Sequence, residues 1–305
     1  MNESKKSRFP WKISLEEEFK RNPKLTPEAL ETFKQWYKNE KHLPPVDDEM
    51  LFHFLHACYY NVEQAKITID YFYTYKNTMP EFFEKWDVQD KDIQDAVNNT
   101  IISAPLPMCT SEGYRVIVCK LNDTDVAKFN YPICVKWLAM SCIHAIWERG
   151  TQNGYVIVYD AAGFTMSHLF KCPLSTVKNY INYGKNASPI RVLKVVFINT
   201  SPVVKKLLTL VKPFLSKELI NMMSFHISPD SFFQDLEKAN IPEDYGGEAP
   251  PLLSLHREYV KIISSAREWL IEEEKVKCDE KLRVGKSKKD VSQKIDISFK
   301  KLEID

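Results

Sequence analysis

Apolar residues recur every three or four positions through most of the first hundred residues, which is the spacing of amphipathic helices. Thr26 followed by Pro27 is typical of an N-cap and first helical turn ahead of EALETFKQWYKNE. Asn61 with Gln64 approximates a capping box ahead of a further helix, and the aspartates after HLPPV cap DEMLFHFLHACYY. The pattern predicts an all-helical N-terminal module over residues 1–98.

The pattern changes near residue 110, where three runs rich in β-branched residues begin. They are YRVIVCKL (114–121), YVIVYD (155–160) and LKVVFIN (193–199), and none alternates cleanly, so we expect each strand to be buried on both faces. Helical stretches at 131–149 and 173–186 lie between them and are long enough for crossovers. The sequence therefore predicts an α/β domain over residues 99–250, with a mostly parallel sheet flanked by helices.

Two further segments have an apolar stripe. In 202–215, PVVKKLLTLVKPFL, the apolar Val203, Leu207, Leu210, Val211 and Phe214 recur at helical spacing, with lysines on the other side. A third region, 251–305, is predicted to begin with one amphipathic helix. Its end, 271–305, carries many charges among few large apolar residues and is expected to be a solvated helix that frays into a tail.

Composition narrows the class of protein. The chain has 305 residues, of which 44% are apolar, and 42 basic residues balance 41 acidic ones, so no overall field favours nucleic acid. Seven cysteines without CxxC spacing are typical of reduced core thiols. No 18-residue apolar run and no secretory leader are seen. We expect a cytosolic, monomeric protein that does not bind nucleic acid.

Sequence motifs for cofactors are incomplete. The GKS at 285–287 lacks the earlier glycine of a P-loop because residue 280 is Glu, and neither GxGxxG nor GxSxG occurs. His53 and His56 are three residues apart on a helix, but no further ligand completes a metal site. We expect neither a cofactor nor a metal.

A catalytic interpretation would rest on Asp160, at the end of a strand, and on His168. Asp is a common turn former, so the favoured interpretation is that the Asp160 carboxylate accepts backbone N–H bonds and fixes the AAGF turn. His168 is better suited to a structural hydrogen bond. No grouping of nucleophile, base and oxyanion donors is seen, so we expect no enzyme. The excess of apolar segments fits either a well-filled core or a cavity for an apolar ligand.

The chain resembles the CRAL-TRIO lipid-transfer proteins, in particular their tocopherol-transfer and retinaldehyde-binding branch. The resemblance is carried by NGYVIVYDAAGF, ASPIRVLKVVFIN, SPVVKKLLTLVKPFL and IPEDYGG, in this order, and extends back to DDEMLFHFLHACYYNVEQAKITIDYFYTY. It implies a lipid pocket closed by a mobile gate helix. By matching segments, the resemblance assigns eight residues to the pocket: Cys134, Trp137, Ser141, Ile157, Tyr159, Phe164, Tyr180 and Tyr183.

The same resemblance implies a gate at 202–211, whose apolar residues are Val203, Val204, Leu207, Leu208, Leu210 and Val211. Some relatives bind a phosphoinositide head group through basic residues beside the gate. The matching or neighbouring cations here are Arg191, Lys194, Lys205, Lys206, Lys212 and Lys217. Leu193 stands where the second family cation falls, so a weaker attraction to anionic lipid is the alternative.

The predicted function is a cytosolic carrier that binds one hydrophobic ligand, a tocopherol- or retinoid-like isoprenoid or another lipid. It would exchange this ligand with membranes during transient peripheral contact. The alternative is a lipid-sensing regulatory module that docks a protein partner, for example through the region beyond residue 251.

Overall fold

The N-terminal part of the chain is helical, as predicted. The computed structural model describes residues 11–285; residues 1–10 and most of the charged end, 286–305, with two of the three GKS positions, lie outside this range. The Thr26 hydroxyl accepts the Ala29 N–H at 3.3 Å, and the Asn61 side chain accepts the Gln64 N–H at 3.0 Å. The module comprises α1 (Leu15–Arg21), α2 (Pro27–Asn39), α3 (Asp48–Ala57), α4 (Val62–Thr78), α5 (Pro80–Phe83) and α6 (Lys91–Asp95).

A five-stranded sheet with the order β1-β2-β3-β4-β5 follows. Strand β1 pairs antiparallel with β2, and the remaining pairs are parallel, which confirms the predicted α/β class with a mostly parallel sheet. The predicted strands are β2, β3 and β4, whereas β1 and β5 were not predicted. The bounds are β1 Ile101–Pro105, β2 Tyr114–Leu121, β3 Gly154–Asp160, β4 Val192–Ile198 and β5 Met223–Phe225.

Helices connect the strands and cover the sheet. The predicted helices at 131–149, 173–186 and 202–211 are found within one residue of their predicted ends. Their bounds, with those of the shorter helices, are α7 Tyr131–Arg149, α8 Met166–Phe170, α9 Leu174–Asn186, α10 Pro202–Val211, α11 Lys217–Asn221, α12 Asp230–Phe233, α13 Leu252–Ser265 and α14 Arg267–Glu274. Within residues 11–285, no helix is both long and apolar enough to cross a bilayer.

One face of the sheet is fully packed, and we call it the outer face. Its side chains come from even-numbered residues of the central strands and lie against Phe233, Ile241 and Leu252. They are 0–4% exposed: Val116, Val118, Val156, Val158, Val196 and Ile198. The opposite, inner face is only half-buried, so the prediction that the strands are buried on both faces is wrong for the inner face.

The predicted amphipathic helix of the C-terminal region is divided into two, α13 and α14, and the described part of the charged end is only partly solvated. The segment 267–283, which we call the C-terminal strap, packs on the N-terminal module. Arg283 lies 2.8 Å from Asp70 on α4, and the fully buried Lys76 lies 2.8 Å from Glu273. Ion pairs with partners 213 and 197 residues away keep these charges out of water.

Candidate functional site

The inner face of the sheet carries two rows of side chains that run across four strands. The strand register places these residues side by side, and each keeps part of its surface accessible to water. The Tyr159, Phe197 and Phe225 rings stack in sequence, with centroids 5.4 and 5.1 Å apart. The first row is Ile117, Ile157, Val195 and Met223, and the second is Cys119, Tyr159, Phe197 and Phe225.

Helix α7 contributes one accessible stripe to the same region. Most of this helix is buried, but Tyr131, Cys134, Leu138 and Cys142 are half-buried and recur at spacings of three and four, so they share a face. The stripe predicted from the sequence was Cys134, Trp137 and Ser141. Of these, Cys134 is half-buried as expected for a lining residue, whereas Trp137 and Ser141 are 0% and 5% exposed.

Trp137 and Ser141 nevertheless carry unsatisfied polar atoms. Within the described residues, the Trp137 indole N–H and the Ser141 hydroxyl have no hydrogen-bond partner. Buried polar atoms normally find a partner in the protein or in a bound molecule. Both residues therefore stay candidates for polar contacts, although neither presents accessible surface.

The third side is formed by α9 and the segment before it. Tyr180 of α9 and Phe164 are half-buried, and the Tyr159 and Tyr180 hydroxyl oxygens are 2.8 Å apart. Tyr183, also a predicted pocket residue, is 7% exposed, and its ring contacts Phe83 of the N-terminal module with centroids 5.4 Å apart. Tyr183 therefore packs behind the accessible side chains and is not one of them.

Apart from Phe225, which is 43% exposed on the edge strand, these accessible side chains lie within the protein. Burial raises the pKa of Tyr180 to about 12 and that of Cys134 to about 12, and it raises the pKa of Tyr159 well above its usual value. Groups on an open surface would keep ordinary values. We call the region between the inner face, α7 and α9, where these half-buried side chains meet, the inner recess.

Helix α10 lies against α8 and α9 over this region. Its most buried residues are Val204 at 3% and Val211 at 6% exposed, with Leu208 half-buried between them. Val203 and Leu207 are half-buried, and Leu210 is 52% exposed, so the buried stripe is rotated from the predicted one. The inward stripe is therefore 204, 208 and 211.

Polar bonds between α10 and the rest of the fold are not found in the described part of the chain. The Thr209 hydroxyl donates to the Lys205 carbonyl within the helix, and the buried Ser201 hydroxyl at the N-cap has no partner there. Apolar contacts alone hold this helix down. Such contacts are non-directional, and another apolar medium can replace them.

The predicted head-group cations fall into two groups. Arg191 faces the N-terminal module: its Nε donates to the His56 carbonyl at 2.7 Å, and its guanidinium carbon lies 4.3 and 5.1 Å from the Tyr59 and Tyr60 ring centroids. Those two tyrosines adopt positive φ at the end of α3. The remaining cations are exposed: Lys194, Lys205, Lys206, Lys212 and Lys217.

Asp160 and His168 hold the fold together, which confirms the favoured interpretation. The Asp160 carboxylate accepts the Ala162 N–H at 2.9 Å, the Asn199 amide at 2.7 Å and the Tyr245 hydroxyl at 2.8 Å. His168 Nδ1 accepts the N-cap Thr165 N–H at 3.1 Å. Residues 11–285 bring together no group of three or more His, Cys, Asp or Glu that could hold a metal.

The mostly parallel sheet thus has one packed face and one half-buried face, and comparison with known families adds to this description. Residues 101–247 match the CRAL/TRIO domain, and residues 22–93 match the Pinta-like UBA domain. The chain belongs to the CRAL-TRIO family. Its members are lipid-binding and lipid-transfer proteins.

Curated CRAL-TRIO relatives include human Clavesin-2, which is 21% identical over 207 residues, covering 67% of this chain and 63% of the relative. Clavesin-1 of Xenopus laevis is likewise 21% identical, over 67% of this chain and 62% of its own length. The matched segment thus spans less than two thirds of these relatives. The crystal structure of Sfh5 aligns with a TM-score of 0.47 at 12% identity, covering 84% of this chain and 97% of Sfh5.

Several residues that line the inner recess of this CRAL-TRIO domain were not predicted from the sequence. On the sheet they are the neighbours in register of Ile157 and Tyr159, and on α7 they are Leu138 and Cys142. The strand neighbours could have been inferred from the period of two, because parallel partners share a face. Helix α7 gave no such signal, because it has apolar residues on nearly every side.

Proposed function

We propose that this protein carries one hydrophobic molecule in the inner recess and exchanges it with membranes when α10 moves aside. The proposal rests on the apolar inner face, which stays partly accessible beneath a helix that makes no polar bond to another element within residues 11–285. A sheet face that only needed a core would be packed as tightly as the outer face. The pocket, gate and cytosolic location assigned from the sequence are parts of this proposal.

An apolar rim beside α10 supports the membrane half of the proposal. Phe170 is 81% exposed at the end of α8, Leu174 is 50% exposed at the start of α9, and Leu210 is 52% exposed on α10. Because α10 contacts both helices, these three side chains border one region. Exposed large apolar side chains on neighbouring helices suit insertion into the interfacial layer of a bilayer.

Exposed lysines favour an anionic membrane. Lys205, Lys206, Lys212 and Lys217 lie on α10 or just after it and are free to meet lipid head groups. Arg191 is engaged with the N-terminal module, so we assign it to that contact and propose a non-specific attraction to anionic lipid. A defined phosphoinositide site is not needed for docking.

The alternative, docking of a protein partner through the region after residue 251, gains no specific support. Residues 267–283 use their charges in contacts with the N-terminal module. We therefore propose a carrier without enzymatic activity that acts as a monomer.

The test is lipid retention followed by transfer. Purified protein is extracted natively and analysed by mass spectrometry, and its uptake and delivery of lipid between vesicles are measured. We expect one retained hydrophobic molecule per chain. Leu208→Asp should abolish retention, whereas Thr209→Asp, the matched change at the adjacent exposed position, should not. Protein that is empty and takes up no lipid from vesicles would refute the proposal.

A further inference from the structure

The C-terminal strap follows a helix that bends without a helix-breaking residue. From Leu252 to Arg283 the chain contains neither glycine nor proline, and the sequence predicts one amphipathic helix there. In the structure, α13 ends at Ser265 and α14 begins at Arg267. The local sequence therefore favours a helix that runs straight through Ala266, and the bend needs another cause.

The bend leaves helical hydrogen bonds unmade. Ala266 has φ −95° and ψ 15°, and its N–H donates to the Ile263 carbonyl at 3.0 Å, one residue short of the α-helical acceptor. Helix α14 has no side-chain N-cap, and the N–H groups of residues 267–269 find no partner within residues 11–285. A straight helix would give each of these three groups a carbonyl.

Contacts of the C-terminal strap with the N-terminal module hold the bend in place. Arg267 makes a two-pronged ion pair with Asp87, with both N···O distances at 2.6 Å. The Glu274 carboxylate accepts the Lys85 and Trp86 N–H groups at 3.0 and 2.9 Å. Lys85 has a positive φ of 59°, and successive N–H groups at such a turn form a concavity that binds anions. The N-terminal module thus recognises one short segment of chain, whichever molecule supplies it.

A second copy of this chain can supply that segment with every contact preserved. If the strap lifted into water, Lys76 would lose Glu273 at 2.8 Å, and Trp269 and Leu270, now 8% and 0% exposed, would be uncovered. If two copies exchange straps, each N-terminal module regains the same partners, and only the bend at Ala266 changes. Exchange of an identical element between copies is a low-cost route to a two-fold dimer.

We infer that this chain forms a strap-exchanged dimer, in which α13 and α14 run as one helix and residues 267–283 of each copy lie on the N-terminal module of the other. The inference goes beyond the carrier function, which the monomer performs with the same inner recess and α10. Because the closed monomer holds its strap through a buried ion pair, exchange should be slow, and the dimer fraction should rise with protein concentration.

Charge reversal tests the exchange. Arg267→Asp and Asp87→Arg each place like charges at a contact whose side chains are 37% and 35% exposed, so each variant should fold. Each variant alone should show the dimer fraction of the unmodified protein, because like charges meet in its monomer and in its dimer.

A mixed dimer relieves the repulsion. The new carboxylate of one variant meets the new guanidinium of the other, and the second contact is the original pair. An equimolar mixture, incubated at high concentration and measured by size-exclusion chromatography with light scattering, should show a dimer association constant at least about 10-fold larger than either variant alone. Mixing either variant with unmodified protein relieves nothing and is the control.

Variants at the bend test its role. The Ser265 hydroxyl donates to the Ile262 carbonyl at 2.7 Å, and hydrogen bonds of this kind bend helices. Ser265→Ala should therefore raise the dimer association constant about fivefold, and Ala266→Gly should lower it at least about fivefold. Ser254→Ala, at an exposed position near the start of α13, is the matched control and should change it less than twofold.

The outcomes decide between exchange and other contacts. A mixture of the two charge variants that dimerises no more than its components would overturn the inference. A dimer that forms equally in the mixture, in the single variants and in both bend variants would overturn it as well, because that dimer would use another surface. Lipid retention by the monomer is measured separately, so failure of the exchange leaves the carrier function standing, and the reverse also holds.

Discussion

Val204→Ala provides a direct test of whether α10 is a gate. Val204 is 3% exposed on the inward side of the helix, and its burial holds the helix against the domain. Lifting α10 into water would expose this residue and Val211 fully, and Val203, Leu207 and Leu208 from half-buried positions. At about 1.5–3 kcal/mol for each fully buried side chain, opening costs about 7 kcal/mol. Spontaneous opening in water should therefore be rare.

The substitution removes two methyl groups from the inward stripe. At about 0.8 kcal/mol for each, opening becomes easier by about 1.6 kcal/mol, which corresponds to about 15-fold. We expect a bound pyrene lipid to escape to cyclodextrin, in the absence of vesicles, about 15-fold faster than from the unmodified protein. A second readout is maleimide labelling of Cys134, which lies in the inner recess and should react faster by a similar factor.

Leu210→Ala is the matched control on the same helix. Leu210 is 52% exposed and points away from the inward stripe, so spontaneous escape should change less than twofold. Its loss should instead slow vesicle-stimulated transfer. If Val204→Ala leaves both escape and labelling unchanged in folded protein, α10 is not the barrier, and the gate has to be sought elsewhere.

Three further outcomes follow from the contacts and burial described. Phe170→Ser, at an 81% exposed position, should reduce binding to anionic vesicles in flotation assays without changing the thermal midpoint. Arg283→Met should destabilise the fold by about 2 kcal/mol in urea unfolding, because it removes the 2.8 Å ion pair with the buried Asp70, which keeps its 3.3 Å contact with His42. Burial lowers the pKa of His53 to about 3, so stability present above pH 6.5 should fall as pH drops toward 3. The loss at pH 5 should be about 2 kcal/mol, and His53→Gln should remove it.

The sequence predicted the elements whose signal is local. The N-caps at Thr26 and Asn61 and the β-branched runs of the central strands located their helices and strands closely, because these signals act over a few residues. Strands β1 and β5 were missed. Strand β1 directly follows a π-helical turn, Ala96–Thr100, that continues α6, and β5 has three residues, too few to show a period.

Which face of a helix is buried was harder to predict than whether the helix forms. Six of the ten residues in α10 are large and apolar, so a stripe through Val203 and Leu207 and one through Val204 and Leu208 both fit the sequence. The neighbours α8 and α9 decide which one is buried. Helix α7 shows the same difficulty, since a helix that is apolar all round gives no sign of which residues border a recess.

Long-range pairing explains the wrong expectation for the charged C-terminal end. The local sequence IEEEK predicts that Glu273 is at the surface. Its carboxylate instead accepts a hydrogen bond at 2.8 Å from Lys76, which lies 197 residues earlier in the chain. A buried pair at such a separation leaves no local trace. The same contact changes the truncation that tests docking: a cut after Gly285 retains the C-terminal strap, whereas a cut near residue 280 would remove Arg283.

The distribution of polar bonds indicates which part of the protein can move. The C-terminal strap is tied to the N-terminal module by the buried ion pair of Lys76 with Glu273 and by the partly exposed, two-pronged contact of Arg267 with Asp87 at 2.6 Å. A bilayer offers nothing that replaces such a pair, so membrane contact should leave the strap closed. Helix α10 is held by apolar contacts, which the acyl region of a bilayer can replace almost without loss. We therefore expect membrane contact to lower the barrier to opening at α10 selectively, so that a carrier that retains its cargo in water would release it at a membrane without any chemical signal.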